Sequence, residues 1–434
     1  MIPIFAADDH KSRDGLLSRL MSRSVGIDSQ LLSSVSAILE EVRVRGDEAL
    51  IEYAAKFDRV ELEVADLHVS SQVLRESAAN VDAKVLAALR EAIQNVRTFH
   101  ERQQESSWIL KRDDLAWLGQ RITPIESVGL YVPGGTAAYP SSVVMNVVPA
   151  QVAGVSRIVV ASPPNAVRSN PAVAAALVEL GVSEVYAVGG AQAIAALAFG
   201  TKTIPRVDKI TGPGNKYVAA AKKLVFGIVG IDSIAGPSEI LILADDSAPA
   251  DFVAADLLAQ AEHGEDASAI LITTSESLAF QVAAEVQRQL ECLPRLEIAA
   301  KSLSNYGGIL IVDHIDQACN LANEIAPEHL EILTIDNDDV AEKIKHAGAI
   351  FFGPYSPEAL GDYFAGPNHV LPTGRTARFS SALGVYDFVK RTSIIGYSRA
   401  EMESAAEKIS ALAEAEGLMG HARSALIRKK VMTH

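Results

Sequence analysis

Four short stretches carry side chains that can bind a metal or move protons. Gln260 and His263, in the run QAEH, lie three residues apart on a segment patterned as a helix. Residues at that spacing share about one helical face, so both can point at one ligand. Two groups are too few to hold an ion, and on their own they read sooner as polar helix surface. Glu328 and His329 follow a helical segment and open an apolar run. An adjacent Glu–His pair at a strand start can supply general-base chemistry, because His titrates near neutral pH; without support it reads as an ordinary loop end. Asp362 and His369 lie in a loop rich in Gly and Pro, the kind of segment that carries binding groups. Glu416 and His421 lie in the tail, in EAEGLMGH, and read singly they are solvated polar residues.

Three glycine-rich turns offer a nucleotide site, at 132–136, 188–191 and 211–215. Such a turn between a strand and a helix lets backbone N–H groups approach a phosphate. None matches G-x-G-x-x-G, since after Gly212 and Gly214 the third position is Tyr217. Simple turn glycines account for any one of them equally well. The only cysteines are Cys292 and Cys319, which excludes a disulfide framework and a thiolate zinc cluster. Neither sits in a Gly-rich catalytic turn, so both read as structural, and an aldehyde-oxidising thiol nucleophile is not expected.

These residues need a scaffold. Segments 29–56 and 71–104 show apolar residues at helical spacing. From about residue 122 short apolar runs alternate with helical segments. Strands are expected at 157–161, 184–188, 207–211, 239–244, 269–273, 308–312, 330–335 and 349–352, with helices between them. That alternation implies βαβ units and mostly parallel sheets, in two blocks at about 129–237 and 239–352. Residues 354–392 read as loop, and 399–430 as an amphipathic helical tail.

With 434 residues, 49% apolar and 21% charged, the chain has ample core for several domains. Its net charge of −15 argues against nucleic acid or anionic lipid as a partner. The apolar stretches 143–155 and 185–200 are interrupted by polar residues and glycines. No membrane span and no secretory signal is read, and a soluble, cytoplasmic protein is expected.

The stretches SVGLYVPGGTAAYPSSVVMNVVPAQVAGV, GPGNKYVAAAK, IDSIAGPSEILILAD, DLLAQAEHG, IAPEHLEI, GDYFAGPNHVLPTG and EAEGLMGHARS, in that order, resemble histidinol dehydrogenase. The resemblance implies an α/β fold of two Rossmann-like doubly wound domains, with helical N- and C-terminal extensions used in dimerisation. It implies a terminal arm at 1–25 and a larger α/β domain from 26–128 and 239–383. An NAD-binding domain would span 129–238, and a tail at 384–434 would reach the partner subunit. The implied reaction is the two-step, four-electron oxidation of L-histidinol to L-histidine through bound L-histidinal, the last step of histidine biosynthesis. NAD and one Zn²⁺ per subunit would be the cofactors, in a homodimer with shared active sites. The resemblance places Gln260, His263, Asp362 and His421 as zinc ligands, and Glu328 and His329 as the acid–base pair. Substrate contacts would be Ser238, Gln260, His263, His329, Asp362, His369, Glu416 and His421, and NAD contacts Tyr131, Gln192 and Asn215. The competing readings are a diverged amino-alcohol or aldehyde dehydrogenase, and a silent zinc- or ligand-binding relative.

Overall fold

In the computed structural model, residues 2–6, 9–23, 27–112, 116–134 and 139–429 are described. Five helices come first, at His10–Arg23, Ser29–Arg45, Asp47–Tyr53, Ser71–Ala78 and Ala83–Glu101. The second shows why the pattern folds this way. Asp28 caps it by accepting from the Leu31 N–H at 2.7 Å. Leu31, Val35, Leu39 and Val42 recur on one face and are buried. They join a core that includes the helix Gly190–Phe199. Gly46, at φ 58, ends it.

A five-stranded parallel sheet follows, in spatial order Glu184–Ala187, Arg157–Ser162, Ser127–Tyr131, Lys209–Thr211 and Gly230–Ile231. Numbered along the chain, that order is 3-2-1-4-5. All five residues of Ser127–Tyr131 are buried, as a strand covered on both faces requires. The order reverses between Ser127–Tyr131 and Lys209–Thr211. A crevice therefore opens beyond the carboxyl ends of those two strands, where α/β sheets bind ligands.

The second parallel sheet runs Ile4–Phe5, Gly308–Ile311, Ser268–Thr273, Glu239–Ala244, His329–Leu333 and Ala349–Phe352. Apart from the Ile4–Phe5 edge it repeats the 3-2-1-4-5 order. Its two faces are read directly off the alternation. Ile240, Ile242 and Leu271 enter one apolar core, and Leu241, Leu243, Ile270 and Ile272 the other. The two blocks expected from the sequence are thus two Rossmann-like doubly wound sheets.

Both sheets belong to one compact unit, Met1–Gln103 with Glu126–Phe388; Gln104–Ile125 with Val389–His434 forms a second. The second unit carries an antiparallel sheet in the order Val389–Tyr397, Ala116–Pro124, Trp108–Arg112, followed by the helices Arg399–Ala415 and Met419–Ile427. The helices match the amphipathic pattern, but the segment read as a helical tail from 384 opens with a 3₁₀ turn, Val385–Phe388, and then the strand Val389–Tyr397. Its sequence, VKRTSIIGY, is rich in β-branched residues yet exposed or half-buried throughout, so it lacks the in–out alternation that marks a strand.

Candidate active site

The reactive groups collect at the amino ends of two neighbouring strands. Glu239 and His329 are the first residues of Glu239–Ala244 and His329–Leu333, which pair in parallel. The chain enters His329 from the helix Ile315–Ile325, which ends at Ala326 with φ 50. Glu328 and His329 are both buried.

Backbone atoms of Glu239 hold both. Its N–H donates to Glu328 Oε2 at 2.9 Å, and its carbonyl accepts from His329 Nδ1 at 3.0 Å. A carbonyl can only accept, so Nδ1 carries the proton and Nε2 holds the free lone pair. Nε2 is buried, has no hydrogen-bond partner and lies 3.8 Å from Asp362 Oδ1. Burial pushes the His329 imidazole down to about 4, against the pull of Asp362, so the ring is neutral near pH 7. Burial pushes the Glu328 carboxyl well above its ordinary range; the Glu239 N–H opposes this, and the Glu239 and Asp362 charges add to it.

Gln260 lies in the last turn of the helix Ala250–Ala261 and is buried. Turned so that its nitrogen faces the acceptors around it, the Gln260 amide would donate to both Glu358 carboxylate oxygens at 3.1 Å and to the Glu239 carbonyl at 3.2 Å. His263 lies just past that helix. Its Nδ1 donates to the Ala259 carbonyl at 3.0 Å, which leaves Nε2 for a ligand. Glu358 and Asp362, four residues apart on the helix Glu358–Tyr363, complete the cluster. His263, Glu358 and Asp362 each offer a ligand atom, all within 4.8 Å of one another. An imidazole nitrogen and carboxylate oxygens at that spacing suit a borderline divalent ion such as zinc. His369 donates from Nδ1 to the Asp362 carbonyl at 3.1 Å, and Ser238 immediately precedes Glu239. Glu416 and His421 are exposed residues of the second unit.

The other group of expected residues lies at the switch point of the five-stranded sheet. Tyr131 ends Ser127–Tyr131, and its hydroxyl accepts from the Gly190 N–H at 3.0 Å, leaving its own proton free to donate. Gln192 is buried in the first turn of Gly190–Phe199. Asn215 caps Lys216–Val225, accepting from the Tyr217 and Val218 N–H groups at 3.0 and 3.2 Å. Its amide nitrogen remains available. Gly212 has φ +113, and a Cβ there would sit 2.1 Å from the Tyr131 carbonyl, so that turn demands glycine for its own closure. Of the turn at 132–136, Gly135 and Thr136 lie outside the described residues.

The model of the histidinol dehydrogenase family matches residues 21–429. The chain belongs to the histidinol dehydrogenase family. It is 56% identical over 396 residues to the histidinol dehydrogenase of Geobacillus kaustophilus strain HTA426, covering 91% of this chain and 93% of the relative. To that of Bacillus subtilis strain 168 it is 52% identical over 415 residues, covering 95% and 96%. The crystal structure of histidinol dehydrogenase from Elizabethkingia anophelis superposes with a TM-score of 0.92 at 36% identity, over 98% of each chain. Membership makes the chain an oxidoreductase of histidinol. Among the described residues no helix is long and apolar enough to cross a membrane.

Sequence reasoning within this histidinol dehydrogenase family did not single out Glu358 or Glu239. The four-residue spacing of Glu358 and Asp362 on one helical face was a usable signal. Glu239 acts through its backbone, which no side-chain motif reports. A second carboxyl pair lies behind Glu358. Glu331 Oε1 accepts from the Glu358 N–H at 2.8 Å, and the Glu331 carboxyl is within hydrogen-bond reach of Asp256. Two carboxyls in such contact must share a proton. Burial raises Asp256 from 3.8 to about 6. Below about pH 4 it is protonated in both the folded and the unfolded chain. As pH rises from there to about 6 the unfolded chain ionises first, so stability falls, and above about 6 the full cost remains. Asp256→Asn is therefore expected to raise the melting temperature at pH 8, by the equivalent of about 3 kcal/mol, and not at pH 4. Calorimetry at the two pH values checks this; an equal shift at both contradicts it.

Proposed function

We propose that this chain oxidises L-histidinol to L-histidine in two NAD-dependent steps through bound L-histidinal. It would work as a cytoplasmic, zinc-containing homodimer in amino-acid biosynthesis. The observation that carries the reading is the buried, unpartnered Nε2 of His329, its lone pair facing the Asp362–His263 cluster.

Gln260, His263 and Asp362 would hold the zinc, with His421 supplied by the partner subunit. The occupied Nδ1 of His263 and the nitrogen–oxygen donor set support that assignment. When bound, zinc would supply the positive charge that fixes the substrate's imidazole and amino group, and NAD would accept hydride. His329 Nε2 takes the proton of the substrate hydroxyl as hydride leaves. As water adds to the aldehyde, Glu328 takes a proton from it and His329 returns its proton to the aldehyde oxygen; the freed Nε2 then takes a hydroxyl proton of the hydrate as the second hydride leaves. A carboxyl raised toward neutrality is a stronger base when ionised, which suits Glu328 to that step. Ser238, His369 and Glu416 would contact substrate; Tyr131, Gln192 and Asn215 would hold NAD at the switch point.

The proposed division of labour follows the sheets. Residues 129–238 take NAD, 26–128 with 239–383 carry the reacting groups, and 1–25 and 384–434 serve dimerisation. Exposed apolar side chains on the second unit, among them Trp108, Ile109, Ile395, Leu412 and Met419, support a partner surface there.

The test is the NADH yield per L-histidinol consumed, before and after chelation and zinc return. About two NADH per substrate, lost on chelation and restored by zinc, is expected. His421→Asn should lower zinc retention on gel filtration by tenfold or more, since losing even a ligand's hydrogen-bond partner costs about 10–100-fold in metal affinity. A yield near one means that the aldehyde escapes. No NADH at all means a silent binding protein or a different substrate.

A further inference from the structure

Arg23 is the last residue of the helix His10–Arg23, far in sequence from every motif above. Its side chain is only 4% exposed. Nη2 donates to Glu239 Oε1 at 2.7 Å and to Ser268 Oγ at 3.1 Å, and Nη1 donates to the Asp266 carbonyl. The guanidinium lies over the Tyr306 ring, 5.3 Å from its centroid. Glu239 takes a further hydrogen bond, from the Gly374 N–H at 3.3 Å. The side chain of Glu239 is thus pinned from two directions.

The backbone of that residue is where the site converges. Its N–H meets Glu328, and its carbonyl meets both His329 and Gln260. Toward the neighbouring strand these two groups serve side chains, since the backbone pairing there begins at Ile240 opposite His329. Glu239 is therefore a strand start held on one side by Ser268 and on the other only by the site it organises.

We propose that Arg23 is a positioning residue for the oxidation. By fixing the Glu239 side chain it sets the Glu239 backbone, and through it the orientation of Glu328, His329 and Gln260 together. The proposal rests on the roles assigned above to Glu328 and His329. Lysine could keep the charge at Glu239 but cannot span Ser268, Asp266 and Glu239 at once, because it lacks the planar fork.

The experiment compares Arg23→Lys with the parent enzyme in single-turnover alcohol oxidation, with histidinol saturating. The expected result is a fall in the rate on the order of 10- to 100-fold with little change in KM, the size associated with misplaced reacting groups. In the His329→Asn background the same change should cost several-fold less, because the orientation of the lost base no longer contributes and only that of Gln260 remains. A role confined to holding the helix on the sheet would cost the same factor in both backgrounds, and that overturns the proposal. So does an Arg23→Lys rate within about twofold of the parent. Glu239→Gln, which keeps an oxygen for Arg23 and Gly374, covers the case in which Arg23→Lys does not fold. It should retain most of the rate, and Glu239→Ala should lose it as Arg23→Lys does; equal rates for these two overturn the proposal as well. If His329→Asn itself leaves alcohol oxidation unchanged, the assigned role of His329 has failed, and the role of Arg23 with it. A slow His329→Asn with an undisturbed Arg23→Lys removes the Arg23 role alone.

Discussion

Replacing His329 with asparagine should lower alcohol oxidation and aldehyde oxidation alike, each by about 10²–10⁴-fold. The argument begins with the ring's fixed tautomer. Nδ1 donates to the Glu239 carbonyl at 3.0 Å, so the basic nitrogen can only be Nε2. That atom is buried and makes no hydrogen bond, an arrangement that costs stability unless something is to be bound there. An asparagine amide can still donate to the same carbonyl, so the strand start stays in place while the base is lost. Stopped-flow NADH formation from L-histidinol and from L-histidinal, measured separately, reads both steps. Alcohol oxidation within about tenfold of the parent is below the range of a lost general base and would remove His329 from that role.

Glu328→Gln separates the two halves of the reaction. The glutamine oxygen can still accept from the Glu239 N–H, which Glu328 Oε2 does at 2.9 Å, so the geometry is kept. What disappears is a buried carboxyl whose basicity burial raises. Aldehyde oxidation should fall by about 10²–10⁴-fold, with the first turnover of the alcohol little changed. The product yield should then shift from about two NADH per histidinol toward one. Slowing of alcohol oxidation alone would reverse the assignment.

Much of this architecture was legible in the sequence because parallel strands buried on both faces appear as short apolar runs. Glu239–Ala244, Ser268–Thr273 and Gly308–Ile311 fall within a residue or two of their expected places. The strand at Val389–Tyr397 did not, because its residues face solvent or one shallow layer and carry no clean alternation. The site was legible where side chains carry the chemistry. Gln260, His263, Asp362, Glu328 and His329 were singled out by type and spacing, or by the family resemblance, and lie in one unit of the fold. What holds them was not legible. Arg23 sits about two hundred residues before its partner, and Glu239 acts through a peptide group that every residue type possesses. Such links are made by strand register and long-range burial, and a local pattern contains neither.

The two sheets share one strand order but use opposite ends. At the switch point of the first, Asn215 and Gly190 stand at helix amino ends, where partial positive charge favours a pyrophosphate. At the second, the helix Ala250–Ala261 arrives carboxyl end first, bringing partial negative charge to a neighbourhood already crowded with carboxyls. On the proposed assignments, ligands would be sorted by the sign of their charge: an anionic dinucleotide at one end, a cationic amine and a divalent ion at the other. On the proposed reaction, oxidation turns a cationic alcohol into a zwitterion with a new carboxylate. That carboxylate would form beside Glu358 and Asp362, where only the divalent ion offsets the repulsion.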